Sequence, residues 1–180
     1  MMSDCNKAVL LIIDVQQKLF PVMSHSDDLK IALTKLTKGI KTLEIPILLT
    51  EQYPEGLGPT IPELRDLIPD VNAILKRSFS CCQSDDFISA LQRLKRKQVI
   101  VCGIEAHICV WQTCMDLIMN GYDVFLVADA ISSRNTFDKE LTLRVLEKEG
   151  VHLRSVEMLL FELLQTSLHE KFKTISRIIK

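Results

Sequence analysis

A thiol becomes a working nucleophile when a neighbouring base takes its proton and a nearby cation holds the charges that result. The sequence offers one set of residues for this, each placed at the end of an apolar run: Asp14 closes AVLLIID, Lys76 follows NAIL, and Cys109 lies just beyond QVIVCG in GIEAHICV. Cys109 is expected in the first turn of a helix, where free N–H groups and the positive end of the helix dipole lower a thiol pKa. It should then titrate below the free value of roughly 8.5. It should also be the one activated thiol of the six cysteines, with Cys102 buried, Cys114 turned away from Cys109 by five helical positions, and Cys81 and Cys82 exposed. Plainer readings stand beside these. Asp14 could cap the VQQKLF segment that follows it, and Lys76 could be an ordinary surface lysine.

The elements that must position these residues follow from hydrophobic period and punctuation. AVLLIID is apolar without alternation, as in a central parallel strand covered on both faces. IPILLT, VNAILKRSF, QVIVCG and YDVFLVAD read as further strands and VHL as a short one. Between them the 3.6-residue period predicts helices. One starts at Ser26 with Leu29, Leu33, Leu36, Ile40 and Leu43 inward, and another starts at Ser84. A third runs from about Ile108 to Met119 and stops at Gly121, and a fourth from Asn135 or Thr136 through Lys148 stops at Gly150. SVEMLLFELL and HEKFKTISRIIK add two more at the end of the chain. This alternation predicts a single domain over residues 1–180, a three-layer α/β/α sandwich with a mostly parallel, Rossmann-like central sheet. Such sheets bind ligands beyond the carboxyl ends of their strands, which is where Asp14, Lys76 and Cys109 fall. The stretch TEQYPEGLGPTIPELRDLIP, interrupted by Pro54, Pro59, Pro62 and Pro69, is expected to be a long irregular lid or binding loop. Gln52, Tyr53 and Leu57 from it, with Phe20, Phe79 and His107, are the expected lining of a small-molecule substrate pocket. The helix after Cys109 carries Gln112, Thr113, Asp116 and Asn120 along one stripe, read as a narrow wet face.

Composition bounds the function classes. A chain of 180 residues, 47% hydrophobic, suits one compact core. A formal net charge of -1 gives no electrostatic argument for nucleic acid or an anionic membrane, and the basic run RLKRK at Arg93 to Lys97 reads as the solvated end of a helix. The cysteines show no CxxC spacing, so neither a disulfide framework nor a zinc site is indicated, and a reducing, cytoplasmic setting is expected. No apolar run is long enough for a membrane span. His25, His107, His152 and His169 stand in separate elements, and no metal or other cofactor is expected. The dinucleotide GxGxxG, the phosphate-binding GxxxxGK[ST], HExxH and the GxSxG elbow are all missing. The C-terminal segments MLLFELL and FKTISRII hold more apolar surface than one small domain obviously needs, which predicts a homo-oligomer.

The ordered combination of AVLLIIDVQQKLF, LKRSFS, GIEAHICV and NGYDVFLVADAISSR resembles the isochorismatase-like cysteine hydrolase superfamily, which includes nicotinamidases and carbamoyl-amide hydrolases. The resemblance spans nearly the whole chain. TEQYPEGLGPT together with GIEAHIC looks like the subgroup called isochorismatase domain-containing proteins. It implies that Asp14 is the general base, Lys76 the family's lysine and Cys109 the nucleophile. A cis peptide between Ile104 and Glu105 is implied as well, with backbone N–H groups near Glu105 and Cys109 forming an oxyanion hole. The implied activity is hydrolysis of a small amide or related C–N bond through a thioester.

The departures matter too. Metal-dependent nicotinamidases carry an Asp and a pair of His near the loop after the second strand, whereas Gln52 and Tyr53 stand here. The family's common Thr-Asp pair before the cysteine is replaced by Ala106 and His107. True isochorismatases do not keep the cysteine, so its retention favours C–N hydrolysis. Two other classes are weighed: a non-catalytic small-molecule-binding or scaffold protein that retains the fold, and a nuclease, against which the near-neutral charge argues.

Overall fold

A computed structural model describes residues 1–180. Six strands, β1 (Ala8–Ile13), β2 (Ile47–Gln52), β3 (Ala73–Lys76), β4 (Gln98–Ile104), β5 (Asp123–Ser132) and β6 (His152–Arg154), form one sheet in the order β3-β2-β1-β4-β5-β6. Every pairing is parallel, a stricter arrangement than the mostly parallel sheet expected. Helices α1 (Ser26–Thr42), α4 (Asp85–Leu94), α5 (Trp111–Met119), α6 (Thr136–Lys148), α7 (Val156–Leu164) and α8 (Phe172–Ile179) cover it. Two short turns, α2 (Pro54–Leu57) and α3 (Pro62–Arg65), lie in the proline-interrupted stretch that was expected to be irregular.

The lack of alternation in β1 has a direct explanation. Leu10 and Ile12 join the core beneath α1, α7 and α8, while Val9, Leu11 and Ile13 join a second core beneath α4, α5 and α6. Both faces of the strand are therefore apolar. The C-terminal segments also go inward. Leu159, Leu160, Leu163 and Leu164 of α7 and Ile175 of α8 complete the α1-side core, so their apolar character closes this domain and is not evidence of a partner. Phe20 is buried in the same core.

The strand order reverses between β1 and β4. The chain builds outward from β1 to β3, then returns to the other side of β1 and builds outward again to β6. At such a reversal the connections leave in opposite directions and open a crevice at the carboxyl ends. The two backbones come unusually close here. Gly103, paired with Ile13, has φ +117°, and a Cβ on it would lie 2.1 Å from the Ile13 carbonyl oxygen. Glycine is required there.

Candidate active site

Each of the three chemical residues is placed by the end of a strand. Asp14 is the first residue past β1, with φ 53°, a left-handed conformation that aspartate tolerates better than most residues. Lys76 is the last residue of β3. Cys109 lies in a π-helical turn, Ala106–Val110, that joins β4 to α5. The helix thus starts two residues earlier than expected, and the peptide bond between Ile104 and Glu105 is cis, as the resemblance implies.

The fold brings the three together in a nearly closed site, with Asp14 0%, Lys76 5% and Cys109 6% exposed. Lys76 Nζ donates to Asp14 Oδ2 at 2.6 Å, to Gln52 Oε1 at 2.7 Å and to the carbonyl oxygens of Ser78 and Phe79, each at 3.1 Å. The other Asp14 oxygen accepts from Thr50 Oγ1 at 2.8 Å. Asp14 therefore caps no helix with its side chain, and Lys76 is no surface lysine. Cys109 Sγ approaches Gln52 Oε1 at 4.0 Å.

Burial works against the charge on Lys76, but the negative charge of Asp14 and the hydrogen bond to it outweigh that cost and hold its pKa above the ordinary lysine value. The cation is permanent at neutral pH. Cys109 departs from expectation. Burial pushes its thiol up, the Asp14 carboxylate pushes it further, and Lys76 offsets only part of the rise. A position in the first turn does not lower the pKa of a thiol that is buried against a carboxylate. The resting thiol is neutral. Cys81, expected to be exposed, is fully buried behind Asp14, where burial raises it to about 11, and half-buried Cys82 is raised to about 12. Cys102 is buried and raised, as expected, and Cys114 is buried and raised as well.

The supposed wet stripe of α5 is in large part a fastening. Thr113 is buried and its Oγ1 accepts from the Cys81 N–H at 3.0 Å, while Ser80 Oγ donates to Asp116 Oδ2 at 2.6 Å. These bonds tie the helix that follows Cys109 to the loop that follows Lys76. Sequence reasoning missed Thr50, Ser80 and Cys81. Thr50 had a readable signal, since it stands near the end of an apolar run as Asp14 does.

The remaining residues expected to line a pocket do not converge. Gln52 reaches Lys76 and Cys109 directly. Phe79 is exposed and places its carbonyl on Lys76. Tyr53 is exposed and stacks beneath the Arg77 guanidinium at 4.3 Å from its ring centre, while Leu57 is half-buried. Half-buried His107 has Nδ1 2.9 Å from Ser133 Oγ. Buried Glu105 holds Arg134 through its backbone N–H and Nε, both at 3.1 Å. The proline-interrupted loop is pinned in place. Gln16 Nε2 donates to the carbonyls of Gln52 and Gly58, and Glu51 accepts from the Thr60 N–H and hydroxyl. No three His, Cys, Asp or Glu side chains converge as a ligand set.

The isochorismatase domain profile matches residues 8–158. Isochorismatase domain-containing protein 2 of Danio rerio is 39% identical over 175 residues, which span 96% of this chain and 86% of that one. Among solved structures, the MAR1 ribonuclease of Caenorhabditis elegans superposes with a TM-score of 0.94 at 32% identity, over 99% of this chain and 92% of its own. The YcaC gene product of Escherichia coli, described as an octameric hydrolase of unknown specificity, shares the fold with a TM-score of 0.94 at 24% identity, over 99% and 89% of the two chains.

Proposed function

Because the chain belongs to the isochorismatase family, we propose that its hydrolase fold performs cysteine-dependent hydrolysis of a small amide or related C–N bond. The observation that carries this reading is the buried Asp14–Lys76 pair, 2.6 Å apart, set against the Cys109 thiol. Asp14 takes the thiol proton as the sulfur attacks the carbonyl carbon. The oxyanion that forms is held by backbone N–H groups of Glu105 and Cys109. Support comes from the Glu105 N–H, which has no backbone acceptor of its own. Protonated Asp14 passes its proton to the leaving amine as the C–N bond breaks, which leaves a thioester. Water then adds, Asp14 takes a proton from it, and collapse breaks the C–S bond and returns that proton to Cys109. Lys76, a permanent cation, pairs with the Asp14 carboxylate at 2.6 Å and is not itself the proton carrier. Gln52, beside Lys76 and Cys109, would meet a small-molecule substrate first, with Tyr53, Leu57, Phe79 and His107 farther out.

The test is a screen of small amides for released amine, with intact-mass detection of the acyl-enzyme and Cys109→Ala as control. Turnover that survives Cys109→Ala would overturn the reading. The name of the C. elegans relative favours a second one, RNA cleavage. Incubating the same two proteins with RNA decides between them: cleavage by the native chain with no amide turnover selects the nuclease.

A homo-oligomer belongs to the same proposal, carried by a different surface from the one first expected. Trp111, Phe137 and Leu141 stand exposed on α5 and α6, near the turn that bears Cys109. No helix is long and apolar enough to cross a membrane. The six free cysteines suit a cytoplasmic setting.

A further inference from the structure

The basic run Arg93 to Lys97 is the solvated end of α4, as expected, with Arg93, Lys95 and Lys97 exposed, and it also borders a cavity. α4 ends at Leu94, Lys95 takes a left-handed turn with φ 52°, and the chain folds back into β4 so that Lys95, Arg96 and Lys97 border one concavity of about 420 Å³. Its other polar walls are Gln92 and Asn120, and Leu91 and Tyr122 supply apolar surface. No carboxylate lines it. The chain as a whole has 22 Lys and Arg against 23 Asp and Glu, so three cations around an acid-free cavity are a local arrangement and not a reflection of bulk charge.

The cationic groups are also arranged for a ligand. Arg96 is anchored by Nη1 to the carbonyls of Cys5 and Ala8, which fixes its position before anything binds. Lys97 Nζ lies 5.0 Å above the centre of the Tyr122 ring, which places a charge beside a flat apolar face. Lys95 makes neither a hydrogen bond nor an ion pair through its side chain. Asn120 uses its Nδ2 on the Asp116 carbonyl, which leaves its side-chain oxygen free to accept a hydrogen bond. Converging cations recognise a phosphate, and an aromatic wall with amide groups recognises a planar polar ring.

We propose that this cavity is a second ligand site that binds a sugar phosphate monoester bearing a planar base, the chemistry of a nucleoside monophosphate. It lies at the amino end of β4, while the triad lies beyond the carboxyl end. Seven residues at about 3.3 Å each put roughly 20 Å between the two ends of the strand. The proposal is independent of the reaction at Cys109.

The test is calorimetric titration of the full-length chain with AMP, with adenosine, inorganic phosphate and a short RNA bearing a 5′-phosphate as separate arms. AMP should bind saturably below about 1 mM, adenosine roughly tenfold more weakly, and binding should weaken with added salt. Lys95→Glu with Lys97→Glu should reduce AMP affinity by at least about tenfold. Lys95→Gln with Lys97→Gln should reduce it less, and serves if charge reversal impairs folding. Cys109→Ala should leave it unchanged. If RNA binds more tightly than AMP with the same dependence on Lys95 and Lys97, the phosphate belongs to an RNA end; if AMP binds more tightly, it belongs to a free nucleotide. Absence of saturable AMP binding, equal affinity in the lysine variants, or loss of binding in Cys109→Ala would each overturn the proposal.

Discussion

Replacing Asp14 with Asn separates the two effects of that carboxylate on the thiol. Its charge is the second cause, after burial, of the raised Cys109 pKa, and Lys76 acts in the opposite direction. Asp14→Asn therefore leaves the ammonium unopposed. Alkylation of Cys109 by iodoacetamide at pH 8 should become faster than in the native protein, while amide turnover falls by about 10²- to 10⁴-fold for want of a base. Unchanged alkylation would show that Asp14 does not act on the thiol. In the native protein the alkylation rate should still be climbing above pH 9. Lys76 yields a second prediction. Its folded-state pKa is raised, so its contribution to stability is fully present below the unfolded lysine value of about 10.4 and lost as pH rises through the higher folded one. Lys76→Met leaves a buried carboxylate without its cation and should destabilise the fold by about 3–5 kcal/mol in urea titration. Asp14 and Lys76 were legible in the sequence because each ends an apolar run, and Cys109 because it follows the junction after one. The direction of the thiol's titration was not, because helix position can be read from sequence and depth of burial beside a carboxylate cannot.

At the scale of elements, the site depends on how closely β1 and β4 approach. Gly103→Ala would place a methyl group 2.1 Å from the Ile13 carbonyl oxygen and force a side chain into φ +117°, so neither backbone can yield without moving Asp14 or the turn of Cys109. A large drop in melting temperature, or failure to fold by circular dichroism, is expected. Normal stability would mean that the strands do not meet as described. The bonds from α5 to the Lys76 loop make a milder claim. Ser80→Ala with Thr113→Val should keep the fold, losing about 1 kcal/mol per bond, while slowing turnover through misplacement of Cys109 relative to Lys76. The strands and most helices were legible because period and punctuation are local. Thr113 and Asp116 were read as wet because a helical stripe shows which residues share a face but not what covers it. The partner is a loop some thirty residues earlier in the chain.

At the scale of the whole molecule, α7 and α8 look too apolar in sequence for a single domain because their partner, α1, is more than a hundred residues away in the chain. Their burial moves the expectation of assembly to α5 and α6. Sedimentation at micromolar concentration should show a species larger than the 20.5 kDa chain, and Phe137→Glu with Leu141→Glu should reduce it. A native monomer would remove the assembly. Trp111 has a further use. It is the only tryptophan in the chain, it is exposed, and it opens α5 directly after the turn that bears Cys109. The protein's ultraviolet emission therefore comes almost entirely from one indole in the element that follows the proposed nucleophile. The acyl group proposed for Cys109 can be sought in that emission in real time, without a dye and without any second indole to subtract.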